Sequence, residues 1–234
     1  MLMANQSTYR EFEYIDLGFI DYKEAWDLQK IVFDLRVKKE IKDIFFLLEH
    51  PHTYTLGKTA DSSNLLSNKE FLDKYQISVY NIDRGGDITY HGPGQIVGYP
   101  IISLSDWKED THLYLRSLEE VIIKTISHFG LKGERKKEYT GVWLEDRKIC
   151  AIGIKISRWV TMHGFALNVN TDLDLFNGII PCGIRDKEVT SIQKELNKEI
   201  DINEVKEIIL QEFKNVFGYN SFTRRTNYFH SEIK

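Results

Sequence analysis

Cysteine is scarce in this chain: only Cys150 and Cys182 occur in 234 residues. No Cys-x-x-Cys pair exists to hold a structural zinc, and at most one bridge excludes a disulfide-built secreted scaffold. Long apolar runs are missing too. Those present, such as Ile44 to Leu48, are far too short to span a bilayer. There is no basic excess, since the formal net charge is −4, which argues against a general nucleic-acid binder. The N-terminal segment has no basic stretch followed by an apolar one, so it does not read as a signal peptide. Glu11, Glu13 and Asp16 make it a poor transit peptide. Repeats, low-complexity tracts and proline-rich linkers are also absent. These absences predict a reduced, cytoplasmic protein with neither nucleic acid nor membrane as partner. What is present is 42% hydrophobic residues, enough for a sizeable core.

The apolar pattern changes period along the chain. Phe12 to Leu17 alternates as a strand. Asp21 to Lys39 reads as a helix with Ala25, Leu28, Val32 and Leu35 on one face. Asp43 to Glu49 is a central-strand run, His52 to Leu56 is extended, and Lys69 to Tyr75 is a short helix. Strands are expected over Ile77 to Ile82 and Gln95 to Ile102. A second long helix runs from Thr111 to Phe129, closed by Gly130. Val142 to Glu145, Lys148 to Ser157 and Val160 to Asn170 read as a meander of three strands. Asn203 to Phe217 is a last helix, with a short strand after it. No regular βαβ rhythm emerges. The pattern predicts an α+β fold, a mixed and largely antiparallel sheet with helices mainly on one side. One domain over 1–234 is expected, with a smaller C-terminal part possible after about residue 185.

Chemistry concentrates in Arg84-Gly85-Gly86-Asp87-Ile88-Thr89-Tyr90-His91-Gly92-Pro93-Gly94-Gln95. Four glycines and a proline around a short strand shape two loops, and Arg84 and His91 stand at their edges. Such a segment reads as a pocket wall around an extended ligand. Cys182, between Pro181 and Gly183, sits in a turn that can present its sulfur to a cleft. Cys150 lies inside a strand, where a cysteine is usually a small core residue. Lys148 begins that strand. By strand alternation Lys148 and Cys150 are expected on the same face. Gly57-Lys58-Thr59 has only the tail of a P-loop, since His52 stands where its first glycine should be. Gly92-Pro93-Gly94 lacks a dinucleotide-binding spacing, and His50-Pro51-His52 lacks further metal ligands. No cofactor and no metal is expected.

The glycine-rich block resembles the signature of the lipoyl(octanoyl) transferases. The likeness continues through Glu49-His50-Pro51, Tyr54-Thr55-Leu56-Gly57, Lys148-Ile149-Cys150-Ala151-Ile152-Gly153, His163-Gly164-Phe165-Ala166-Leu167-Asn168 and Pro181-Cys182-Gly183. It implies the cofactor-transferase fold shared with biotin and lipoate protein ligases. It implies an acyltransferase that moves an octanoyl group from acyl carrier protein to a lysine of an apo lipoyl domain. Such domains belong to 2-oxo acid dehydrogenase complexes and the glycine cleavage H protein. Cys182 falls on the acyl-accepting cysteine and Lys148 on the catalytic lysine. Arg84, Gly85, Gly86, Thr89, Tyr90, His91 and Gly92 fall on one set of substrate-binding positions. Ile152, Gly153, His163, Gly164 and Ala166 fall on another.

The chemistry fits those residue types. A thioester passed to another thiol stays activated without ATP, but the attacking sulfur must be a thiolate. His91 is expected near the oxyanion, Arg84 at a carrier phosphate arm or as a loop clamp, and Asn168 and Thr161 as supports. Tyr90, Leu56 and Phe165 are expected to line the acyl tunnel. Lys132, Arg135, Lys136 and Lys137 form the densest basic cluster for an acidic carrier. An ATP-dependent ligase of the same fold, or a module that binds lipoyl or carrier domains without chemistry, are the rival readings.

Overall fold

The computed structural model describes residues 9–180 and 188–226. The first half runs β1 (Glu11–Phe19), α1 (Tyr22–Val37), β2 (Asp43–Glu49), β3 (Thr53–Leu56), α2 (Lys69–Lys74), β4 (Ser78–Asn81), β5 (Ile88–His91) and β6 (Gln95–Ile101). The second runs α3 (Thr111–Ser127), β7 (Val142–Leu144), β8 (Arg147–Ser157), β9 (Val160–Asn168), β10 (Glu188–Val189), α4 (Ile192–Leu196), α5 (Ile202–Phe217) and β11 (Ser221–Arg224). The long helices start where their sequence says they should. Asp21 caps α1 by accepting from the backbone of Lys23 and Glu24, and Asp110 caps α3 by accepting from Leu113. Gly218, at φ +68, stops α5.

The main sheet has the order β10-β8-β9-β6-β2-β1-β11, with β7 paired to β8. It is mixed: β1 is parallel to both β2 and β11, and β10 to β8, whereas β2, β6, β9, β8 and β7 pair antiparallel in succession. A smaller sheet, β4-β3-β5, stands beside it. Among the described residues no helix is long and apolar enough to cross a membrane.

The expectation of helices mainly on one side is corrected. β2 is apolar on both faces, so both must be covered. Phe45 and Leu47 enter a core with Leu118, Val121 and Ile122 of α3 and Ile209 and Phe213 of α5. Ile44, Phe46 and Leu48 enter the opposite core with Ala25, Val32 and Phe33 of α1. The short β10 and α4 were not expected. Both lie beyond residue 185, where two paired residues and a helix of five leave almost no periodic signal.

A buried charge cluster ties α1 and the start of β2 to the segments that follow β6 and α5. Asp43 is 5% exposed and accepts hydrogen bonds from Arg36 Nε at 2.7 Å, Ser103 N at 2.9 Å and Tyr219 OH at 2.6 Å. Removing the carboxylate leaves the Arg36 charge buried beside nothing but Asp106. Asp43→Ala is therefore expected to cost about 3–5 kcal/mol in denaturant unfolding. A loss below about 1 kcal/mol contradicts this view of the cluster.

Candidate active site

Three pieces of chain enclose the site. β8 and β9 form its floor, the 83–87 loop with β5 forms one wall, and α1 with β6 closes the inner end. The floor is made of small residues: Ala151 and Gly153 on β8, and Gly164 and Ala166 on β9. Smallness is needed at Gly153, where a Cβ would lie 2.9 Å from Gly85 O and from Arg84 Cδ. The loop can therefore lie directly on the strand, and Gly85 N donates to Ile154 O at 2.9 Å.

Arg84 holds that loop from the other side. Its guanidinium is buried, donating to Thr55 O at 2.7 Å, Thr55 Oγ1 at 2.9 Å and Gly85 O at 3.1 Å. Of the two roles expected for it, this geometry is that of the clamp. Thr89 and His91 on β5 face the cavity, with Gly86 and Asp87 before them. Tyr90 alternates away, which corrects its expected place in the tunnel. Its hydroxyl meets His52 Nδ1 at 2.8 Å, and its ring joins Tyr54, Leu56 and Phe176 in a separate core. Leu56 leaves the tunnel for the same reason, and Gly92 packs under the Tyr90 hydroxyl. Phe165 borders the cavity, but its ring packs on Phe45 in the core covered by α3 and α5. Thr161 does not support the cavity: its hydroxyl donates to Pro100 O and accepts from Ile102 N at the opposite end of β9.

His91 is fixed as a neutral donor by a chain of amides. Asn168 Nδ2 donates to Thr190 O, so Asn168 Oδ1 accepts from Gln95 Nε2 at 2.9 Å. That turns Gln95 Oε1 toward His91 Nδ1, also at 2.9 Å, so Nδ1 carries the proton. Burial, with His50 and Arg84 nearby, pushes the His91 pKa well below its ordinary value. Its one N–H is thus committed to Gln95. Asn168 keeps its supporting role through this chain.

The inner end of the cavity carries residues that sequence reasoning missed. Tyr22 and Tyr99 both line it. The Tyr99 hydroxyl donates to His50 Nε2 at 2.9 Å, and His50 Nδ1 donates to Ile20 O. Burial pushes the His50 pKa down to about 4, so it stays neutral. Tyr22 stacks on His91 with ring centroids 5.6 Å apart. Nothing in the pattern around Tyr22 or Tyr99 separates them from ordinary core tyrosines.

His163 is strained in place. Its φ is +57 inside a strand, a conformation that costs a non-glycine residue about 1–2 kcal/mol. Its backbone N–H donates to Gln29 Oε1 and its Nε2 to Asp83 Oδ1 at 2.8 Å. Burial lowers its pKa against the pull of Asp83. Asp83 was also missed, although it immediately precedes the block that drew attention.

Lys148 stands at the other end. It is 6% exposed, with its ammonium 4.7 Å from the Trp143 ring centroid. It borders a recess with Ala151, Ala166, Asn168 and Val189. It also borders an open groove lined by Gly85, Thr140, Ile152 and Ile154. The expectation that Cys150 shares its face is corrected. Val142 pairs with Cys150 and Trp143 with Lys148, so Ile149 is an extra residue and the alternation breaks. Cys150 points into the core with α3 and α5, and burial pushes its thiol pKa far up. Cys182 lies outside the described residues. The described chain leaves at Ile180 and resumes at Glu188, and Val189 pairs directly with Lys148. The basic cluster is less available than its sequence suggests. Arg135 pairs with Glu119 and Glu120, and Lys136 with Asp146.

Comparisons with known proteins agree with the fold. Residues 21–214 match the lipoyl protein ligase A/B catalytic domain. An octanoyltransferase of Christiangramia forsetii is 52% identical, covering 89% of this chain and 96% of its own. The bi-partite lipoate protein ligase of Thermoplasma acidophilum superposes with a TM-score of 0.73 at 15% identity, over 95% of this chain and 90% of that one. The biotin protein ligase of Aquifex aeolicus gives 0.50 at 11%, over 90% and 70%. The fold is thus shared with lipoate and biotin protein ligases, and this chain belongs to the lipoyl protein ligase A/B catalytic domain family.

Proposed function

We propose that the protein is an octanoyltransferase of lipoate assembly, taking its acyl group from a carrier-protein thioester and giving it to a lysine of an apo lipoyl domain. One observation carries the reading: a cavity floored by Ala151, Gly153, Gly164 and Ala166 and closed by Tyr22 and Tyr99 adjoins, through Ala151 and Ala166, a recess bordered by the buried Lys148. The 52% identity to an octanoyltransferase over nearly the whole chain supports the same acyl group. The chain acts as one catalytic unit, since β11 returns from the C-terminal part to pair with β1.

In the first half-reaction Lys148 takes the Cys182 thiol proton and the thiolate attacks the thioester carbonyl. A carbon–sulfur bond to Cys182 forms, the bond to the carrier sulfur breaks, and the carrier leaves as a thiol with the proton from Lys148. In the second, the acceptor lysine amine attacks the same carbonyl. An amide forms, the bond to Cys182 breaks, and the amine proton passes through Lys148 to the sulfur.

Energy for the amide comes from the thioester. Octanoyl-carrier protein and an apo lipoyl domain are therefore expected to yield the octanoylated domain without ATP or magnesium, read by intact mass. A strict requirement for ATP, with free octanoate as acyl source, contradicts the reading and favours a ligase.

A further inference from the structure

The 83–87 loop has little to hold it by packing. Gly85 and Gly86 carry no side chains, and Gly86 sits at φ +89, so the loop is held by backbone hydrogen bonds, among them Gly85 N to Ile154 O and Lys58 N to Arg84 O, and by the side chains that flank it. One anchor is Arg84, which fastens the loop to β3 through Thr55. The other is Asp83. Its two carboxylate oxygens are used in different directions: Oδ1 accepts from His163 Nε2 at 2.8 Å, and Oδ2 from Lys155 Nζ at 2.5 Å. His163 is on β9 and Lys155 on β8, the two strands of the cavity floor. Asp83 itself does not line the cavity, yet Arg84, Gly86 and Asp87 do, as does His163. A single carboxylate therefore spans from the wall of the slot to its floor.

We infer that Asp83 is a positioning residue that sets the spacing between the glycine loop and the β8–β9 floor, and through it the grip on the acyl chain. This rests on the proposed octanoyl site and adds a determinant of affinity that touches no substrate atom. The carboxylate is suited to the task because it stays ionised: the His163 hydrogen bond, with help from Lys155, holds its pKa well below the ordinary carboxylate range. It also fixes the proton of His163 on Nε2, which orients that ring at the cavity end.

The test compares wild type, Asp83→Asn and Lys155→Met in the full chain. The asparagine keeps an oxygen for His163 but loses the charge that draws Lys155. Lys155→Met removes the second arm and leaves the carboxylate. Calorimetric binding of octanoate is expected to weaken about tenfold in Asp83→Asn and about threefold in Lys155→Met. With octanoyl-carrier protein, KM should rise by the same factors while kcat changes less than about twofold. Lys155→Arg should keep most of the wild-type affinity. Unchanged octanoate affinity in Lys155→Met overturns the inference even where Asp83→Asn fails to fold. A fall in kcat at constant KM overturns it as well, since the residue would then serve the chemistry. Failure of the wild type to accept octanoyl from the carrier would instead count against the proposed activity, and the octanoate affinities would still decide the role of Asp83.

Discussion

Lys148→Ala is expected to lose about 10²–10⁴-fold in rate in both half-reactions, acylation of the enzyme and transfer to the acceptor lysine. The size follows from the role: a base that removes a proton in each step has no substitute nearby. Burial holds the pKa of His91 well below its ordinary value and lowers that of His163, so neither is a comparable base. Lys148→Arg separates two ways in which the lysine could work. Arginine keeps a positive charge beside Trp143 but does not release a proton at working pH. If Lys148 moves protons, arginine is nearly as inactive as alanine. Substantial acylation by the arginine variant means the charge alone stabilises the thiolate, and near-normal turnover by the alanine variant removes the lysine from the mechanism. Single-turnover acylation and aminolysis, measured separately by mass, read all three outcomes.

The second large effect is at Cys182. Cys182→Ala should lose transfer on the order of 10⁴-fold or more, because no other group forms the covalent intermediate. Cys182→Ser should fold and remain nearly inactive, a hydroxyl being a far weaker nucleophile. Cys150→Ala should keep its activity and cost about 1 kcal/mol of stability from lost core packing. The contrast rests on environment. The Cys150 thiol is fully buried, at the base of the core that α3 and α5 cover, and burial disfavours its thiolate.

Much of the framework was legible in the residues themselves. The β2 strand is bounded as its apolar run predicts, at Asp43–Glu49, and α1 begins one residue after its capping Asp21. Local signals of this kind, a cap or an uninterrupted period, need no knowledge of distant chain. The failures have the opposite character. The shared face expected for Lys148 and Cys150 failed because one extra residue, Ile149, reverses the alternation, and only pairing with β7 creates that bulge. Tyr90 and Leu56 were assigned to the tunnel on their size, whereas the side they face depends on how β5 pairs with β3 in the small sheet. Helices on both faces of the sheet were implied by the apolar β2, but the partner for the second face is α1, read as amphipathic without a destination.

The site divides in the same way. The glycine loop, Lys148 and the β9 segment are marked by unusual local composition, and the fold brings them together around one slot. The groups that tune this slot are ordinary residues made special by contacts far along the chain. Asp83 meets His163 across 80 residues, and His50 meets Tyr99 across 49. Neither pair has a spacing that sequence alone can mark.

The measurement that bears most directly on this account is the covalent state of the enzyme after one turnover. Full-length protein is mixed with octanoyl-carrier protein in the absence of any acceptor, quenched in acid and weighed intact. The adduct is then located by peptide mapping. The account predicts one octanoyl group per chain, held as a thioester on Cys182 and discharged when apo lipoyl domain is added. An adduct on Cys150, or transfer to the lipoyl domain with no adduct on the enzyme at all, would contradict it.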